Sequence, residues 1–159
     1  RPEGLRACVR IPASMFRAEP RSSAQPAASR TALSQASRAA KRAQRRVLVV
    51  EDESLVALEL QADLTRCGWT VVGPAQSLQQ GMAVLEADPT IDAAVLDVNL
   101  AGRAVYPLAA ALRARGTPFV FCTGYELVDP DGRFPDAPIM RKPVNVDLLD
   151  RQLEQLVRH

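Results

Sequence analysis

The sequence has a single histidine, His159, at its last position. That scarcity removes Ser-His-Asp and Cys-His nucleophilic chemistry, His-based metal sites, and a histidine phosphodonor carried within a helix. Cysteine is nearly as sparse. Cys8, Cys67 and Cys122 make an odd set with no C-x-x-C pair, which suggests neither a disulfide framework nor a zinc site and fits a reducing, cytoplasmic setting. Aromatic residues make up only 4% of the chain, so its core must be built mostly from aliphatic side chains. No apolar run approaches the roughly eighteen residues that a bilayer span needs.

Charge is present but unevenly placed. The formal net charge of +2 conceals a basic segment and an acidic one. Residues 1–46 carry eleven Lys/Arg and two acids, for +9, whereas residues 47–159 carry nine Lys/Arg and sixteen acids, for −7. The first segment is rich in Ala, Ser, Pro and Arg, with prolines at 2, 12, 20 and 26 that interrupt any helix. Between Ser29 and Arg46, Leu33 is the one large apolar residue, too little to offset chain entropy. The segment is expected to be a disordered tail. Three other readings compete: an organelle transit peptide, a basic nucleic-acid arm, or upstream sequence foreign to the protein, since the first Met is Met15. Phe16 is the one aromatic among its arginines, and that scarcity weakens the nucleic-acid reading.

The pattern changes at Val47. Val47-Leu48-Val49-Val50 is a continuous apolar run of the kind buried on both faces of a parallel sheet. Further strands are expected at 69–72, closed by Gly73-Pro74, at 92–96 ending on Asp97, at 118–122 ending on Thr123, and at 139–141 ending on Lys142. Helical spacing links them. Leu55, Leu58 and Ala62 alternate with Val56, Leu60 and Leu64 up to a stop at Gly68, and Ser77 to Gln80 has the form of a capping box. A third helix is expected over 104–115, and a last one over 146–157 with Leu148, Leu149, Leu153 and Leu156 inward. Between 126 and 138, Pro130, Pro135, Pro138 and Gly132 allow only a short or frayed helix. Five strand–helix repeats with short links define an α/β doubly wound sheet.

In such sheets, ligands bind beyond the carboxyl ends of the strands. Every chemically useful polar residue falls there: Glu51 and Asp52 after the first strand, Asp97 at the third, Thr123 after the fourth, Lys142 after the fifth. Crowded carboxylates need a cation, and an all-oxygen donor set favours Mg²⁺. A carboxylate can accept a phosphoryl group as an acyl phosphate, while an ammonium and a hydroxyl meet its oxygens.

Residues 47–158 resemble a response-regulator receiver domain, through Val-Glu-Asp-Glu at 50–53, Leu-Asp-Val-Asn-Leu at 96–100, Thr123 and Lys142-Pro143. The resemblance implies a flavodoxin-like (βα)5 fold with strand order 2-1-3-4-5. It implies Asp97 as phosphoacceptor, and Mg²⁺ held by Glu51, Asp52, Asp97 and the Asn99 backbone carbonyl. It also implies Lys142 and Thr123 at the phosphoryl group, a cis Lys142-Pro143 bond, and a sensor histidine kinase as donor. One departure concerns Ile139, which stands where receivers usually carry an aromatic switch residue. Residues 118–125, Pro-Phe-Val-Phe-Cys-Thr-Gly-Tyr, are similar to the PFxFATGY string of the FATGUY receivers. Those are mostly single-domain regulators that work with kinases of the HWE type.

Each site residue also has an ordinary structural reading. Asp97 can be a strand-end turn acid, and Glu51 and Asp52 a capping pair at a helix start, a role expected of Asp52 in addition to metal binding. Thr123 can be a plain strand residue and Lys142 a solvated charge. Phe119 and Phe121 are expected to pack in the core, Cys67 and Cys122 to be buried small hydrophobes, and Tyr125 to lie over the pocket or cap its loop. The expected function is a phosphorelay receiver, stand-alone because the chain ends after its last helix, with a downstream protein or a phosphotransfer protein as further partner. As a signalling phosphoacceptor it is expected to be no enzyme beyond intrinsic autophosphorylation and autodephosphorylation. The competing reading is a pseudo-receiver that is never phosphorylated and serves as an interaction module. A Mg²⁺-dependent phosphatase would want a second carboxylate at 99, where the chain has Asn99.

Overall fold

A computed structural model of the chain describes residues 45–124 and 132–158. Strands β1 (Arg46–Val50), β2 (Thr70–Ala75), β3 (Ala93–Asp97), β4 (Phe119–Thr123) and β5 (Ile139–Arg141) form one sheet in the order β2-β1-β3-β4-β5, all neighbours parallel. Helices α1 (Ser54–Arg66), α2 (Leu78–Ala87), α3 (Tyr106–Ala114) and α4 (Val146–Arg158) cover it. The expected architecture is present. Alternation along the central strands explains why both faces are dry. Leu48, Val50, Leu96 and Phe121 face Leu85 of α2 and Leu108 and Leu112 of α3. Val47, Val49, Val95 and Val120 face Leu60 and Leu64 of α1 and Leu149 and Leu153 of α4. Phe119 and Phe121 pack as expected. At roughly 1.5–3 kcal/mol for each large aliphatic side chain removed from water, these two layers dominate the stability of the fold.

The structure departs from the sequence reading in several places. Strand β2 does not stop at Gly73-Pro74 but runs through them to Ala75, with a register irregularity against β1 and a cis Gly73-Pro74 bond. Gly73 sits at φ +98°, and a Cβ there would come within 2.8 Å of the Ala75 nitrogen and 3.2 Å of the Val49 carbonyl oxygen. Only glycine fits that close crossing of two backbones. Of the two apolar stripes on α1, Leu60 and Leu64 are buried, whereas Leu55 and Leu58 are 78% and 57% exposed. On α4, Leu148 is exposed and Asp150 is buried among the apolar residues. Helix α2 begins as the capping-box pattern requires, with the Ser77 hydroxyl accepting from the Gln80 N–H, but the Gln80 side chain accepts from the Gln76 N–H, one residue further back.

A short antiparallel hairpin, Asn99–Leu100 with Arg103–Ala104, fills the link from β3 to α3, where helix was expected from 104. It turns through Ala101 at φ +50° and Gly102 at φ +85°. Described residues 132–138 contain turns and no helix, and the rest of the expected short fourth helix, with Tyr125, lies outside the described residues. Strand β1 starts at Arg46, one residue earlier than expected. Its N–H donates to Asp92 (2.7 Å), its side chain pairs with Asp88, and Arg45 lies 3.8 Å from Glu154.

Candidate phosphoacceptor site

The site lies at the carboxyl ends of β1, β3, β4 and β5. Strand β1 delivers Glu51 because its last ladder contact continues past Val50: the Glu51 N–H donates to the Ala75 carbonyl (2.9 Å) at the end of the irregular β2. Asp97 is the last residue of the fully buried β3, and β4 ends on the buried Thr123 one step beyond the Asp97–Cys122 pair. The Thr123 carbonyl accepts from the Lys142 N–H (2.9 Å), which carries the lysine over the pocket from β5. The Lys142-Pro143 bond is cis, as expected.

Side chains from positions 51, 52, 97 and 142 meet there. One carboxylate oxygen from each of Glu51, Asp52 and Asp97 lies within 4.8 Å of the others. The Lys142 ammonium donates to Asp97 Oδ2 and sits beside Glu51 Oε2, each at 2.7 Å. Asp97 Oδ1 accepts from the Asn99 N–H at 3.2 Å. Glu51 Oε1 accepts from the Glu53 N–H at 3.3 Å. Burial is the main cause of an upward shift of the Glu51 carboxyl; hydrogen bonding to Lys142 opposes it and the nearby Asp97 charge reinforces it. Burial lowers the affinity of Lys142 for its proton, but its two carboxylate partners, Asp97 first, reverse this and hold it above the ordinary lysine value. Cys122, packed just beneath, is pushed up to about 12 by burial, so it is a buried thiol without thiolate chemistry. Cys67 is only half-buried.

Three carboxylates facing one ammonium leave an excess of negative charge in a largely buried pocket. A hard divalent cation with oxygen preference fits that donor set. The expected capping role of Asp52 is not realised: Glu53 is the N-cap of α1 and makes no side-chain cap bond. Asp52 Oδ2 instead accepts from the Ala101 N–H, 2.9 Å away. This contribution of the hairpin is not announced by the sequence pattern. Its one legible signal was Gly102, a turn residue shortly after Asp97.

No family model matches the sequence, and no curated protein sequence matches it significantly. Solved structures do. SdrG from Sphingomonas melonis Fr1 is 40% identical over 72% of this chain and 98% of its own, with a TM-score of 0.62. SdrG in its BeF3-activated conformation, described from Pseudomonas melonis Fr1, is 41% identical over 70% of this chain and 95% of its own, at 0.59. A response regulator receiver protein from Sinorhizobium medicae WSM419 shares the fold at 22% identity, covering 72% and 94%, at 0.63. So does TrrA from Thermotoga maritima in complex with Mg²⁺-BeF, at 22% identity, covering 70% and 98%, also at 0.63.

The fold and the acid–lysine pocket are those of a doubly wound α/β receiver. The chain belongs to the response-regulator receiver family. Among the described residues, no helix is long and apolar enough to cross a membrane.

Proposed function

We propose that the chain is a phosphorelay receiver in which Asp97 accepts a phosphoryl group from a sensor histidine kinase. The observation that carries this reading is the position of Lys142, 2.7 Å from an Asp97 oxygen that shares its pocket with Glu51 and Asp52. In the transfer, the bond between phosphorus and the donor's histidine nitrogen breaks, a bond to an Asp97 carboxylate oxygen forms, and the freed nitrogen picks up a proton. Lys142 turns its ammonium toward the incoming phosphoryl oxygens, and the Thr123 hydroxyl serves them from the end of β4. Glu51, Asp52, Asp97 and the Asn99 carbonyl are the groups that would hold Mg²⁺. Bound there, the ion would neutralise charge on the phosphoryl oxygens.

Phosphorylation of Asp97 would act by altering the binding of a downstream protein partner, or by passing the phosphoryl group to a phosphotransfer protein. A groove of about 430 Å³, lined by Val56, Leu60, Pro143 and Val144 together with the acids Glu59 and Asp63, opens beside Lys142. With the exposed Leu55 and Leu58 of α1, it offers apolar surface for a protein partner next to the site. The 118–125 string and Ile139 in the switch position support assignment to the FATGUY receivers, and through them a kinase of the HWE type and a cytoplasmic setting. Ile139 is half exposed on β5. The receiver unit is residues 47–159, with residues 1–46 a tail that takes no part in phosphoryl uptake. A trimmed chain should nevertheless retain Arg45 and Arg46 for their contacts with Glu154, Asp88 and Asp92.

Intact-mass measurement tests the proposal. Wild type given acetyl phosphate or a phosphorylated kinase with Mg²⁺ should gain one phosphoryl mass, and Asp97→Ala should gain none. A chain starting at residue 45 should label as the full chain does. Absence of the added mass in the wild type, or its persistence in Asp97→Ala, defeats the reading.

A further inference from the structure

The hairpin between β3 and α3 makes two hydrogen bonds to the acidic pocket and a third within its own turn. The Asn99 N–H donates to Asp97 Oδ1 (3.2 Å), the Ala101 N–H to Asp52 Oδ2 (2.9 Å), and the Gly102 N–H to the Asn99 side-chain oxygen (2.9 Å). The first two bonds reach carboxylates 45 positions apart in the chain, Asp52 in the turn after β1 and Asp97 at the end of β3. The third closes the turn that aims the second. Ala101 takes φ +50° and is the one described residue other than glycine with positive φ. An L side chain is held there at a steric cost, and the resulting turn points the Ala101 N–H at Asp52. Because Asp52 does not cap α1, this contact to Ala101 is what orients its carboxylate.

We infer that the Asn99–Ala104 hairpin is a positioning device for the cation site, in which the Ala101 N–H, braced by the Asn99 side chain, fixes the Asp52 carboxylate relative to Asp97. This rests on the Mg²⁺ reading above and deepens it. Donation to one oxygen holds the carboxylate plane and leaves the other oxygen for a cation. Outer hydrogen bonds of this kind set ligand orientation, and their loss weakens metal binding. Mg²⁺, which tolerates little departure from octahedral geometry, is sensitive to such misplacement. Ala101 and Asn99 act here through other groups: the Ala101 N–H through Asp52, and the Asn99 side chain through Gly102 and the turn.

The test is Mg²⁺ binding to the full chain by calorimetry, with ¹H–¹⁵N spectra of the Ala101 amide. Asn99→Ala deletes the side-chain acceptor for Gly102 while keeping the main-chain carbonyl. Ala101→Val places a β-branched residue where positive φ is strongly disfavoured. Each variant is expected to bind Mg²⁺ about three- to tenfold more weakly, with a wild-type circular dichroism spectrum confirming that it folds. In the wild type, the Ala101 amide resonance should shift on saturation with Mg²⁺, and Asp52→Asn should move it without metal. That amide reading needs no hairpin variant to fold. Wild-type binding with unchanged affinity in both hairpin variants, or an Ala101 amide indifferent to Asp52→Asn, overturns the inference alone. Failure of the wild type to bind Mg²⁺ overturns it together with the cation reading beneath it.

Discussion

Lys142 reaches Asp97 from the end of the edge strand β5, its ammonium 2.7 Å from Asp97 Oδ2 and equally close to Glu51 Oε2. This one cation offsets part of the repulsion in a pocket where Glu51 is only 1% exposed. Lys142→Met should therefore destabilise the metal-free protein by about 1–3 kcal/mol, the cost of leaving buried acceptors and a carboxylate without their donor. The loss should shrink at saturating Mg²⁺, because a bound divalent ion stabilises the folded state by mass action and supplies charge to the same carboxylates. Urea unfolding of wild type and variant, with and without Mg²⁺, measures both parts. A deficit that Mg²⁺ leaves untouched would show that Lys142 acts by packing alone.

Glu51 gives the opposite sign. Its carboxyl is held above its ordinary value, first by burial. Above both its folded and unfolded pKa, the folded state therefore bears a penalty for the ionised form. As pH falls through the folded pKa, the folded state takes up a proton before the unfolded chain does, and stability is gained until the unfolded value is passed. Glu51→Gln should thus be more stable than wild type without metal at pH 7. The gap should narrow as pH falls toward 4.5, the ordinary glutamate value. The same substitution should weaken Mg²⁺ binding by roughly tenfold or more, since a charged ligand is lost. Thermal melts across that pH range, paired with calorimetry, check the two outcomes. A less stable metal-free Glu51→Gln would mean that the Lys142 attraction outweighs burial.

Why the site was legible while parts of its scaffold were not can be seen residue by residue. Asp97, Thr123 and Lys142 end strands whose apolar runs are unmistakable, and a parallel doubly wound sheet brings strand ends to one rim. Nothing non-local was needed. Asp52 was legible as an acid but not in its partner, because the Ala101 N–H reaches it only after a hairpin that two-residue strands do not announce. On α1, the stripes at 55, 58, 62 and at 56, 60, 64 are alike in hydropathy. Only the direction in which β1 leads into the helix decides that Leu60 and Leu64 face the sheet and Leu55 and Leu58 do not. The same holds for Leu148 and Asp150 on α4, where the buried member is the charged one.

Gly73 marks a strand bend where its pairing with Pro74 leads one to expect a strand end. The Gly-Pro pair suggests a stop, yet β2 bends through it and still pairs Ala75 with Val50. The bend places the Ala75 carbonyl to receive the Glu51 N–H, so strand irregularity and site are connected. Gly73→Ala would force a Cβ to within 2.8 Å of the Ala75 nitrogen at positive φ. A loss of about 2 kcal/mol or more is expected, together with weaker Mg²⁺ binding as Glu51 is displaced. Urea unfolding and calorimetry on the variant test this. A stable variant with normal affinity would show that the crossing of β1 and β2 relaxes without consequence for Glu51.

Trp69 and Asp150 form a further buried polar contact across the fold. The indole N–H donates to Asp150 Oδ1 at 2.8 Å, joining the entrance to β2 with α4 over 81 positions of sequence. The indole is 2% exposed and Asp150 9%, so water cannot readily replace either partner. Trp69→Phe keeps most of the apolar bulk but removes the donor, and should cost about 1–3 kcal/mol. Asp150→Asn retains an acceptor oxygen and should cost less than Asp150→Ala. Trp69 is the only tryptophan, so its emission reports directly on the contact in both Asp150 variants, while circular dichroism follows Trp69→Phe. Phosphoryl uptake at Asp97 should persist in all three, because the contact braces α4 without supplying a group to the pocket. Equal stability of Asp150→Ala and wild type would mean that the apolar surroundings of Trp69 hold α4 in place without the hydrogen bond.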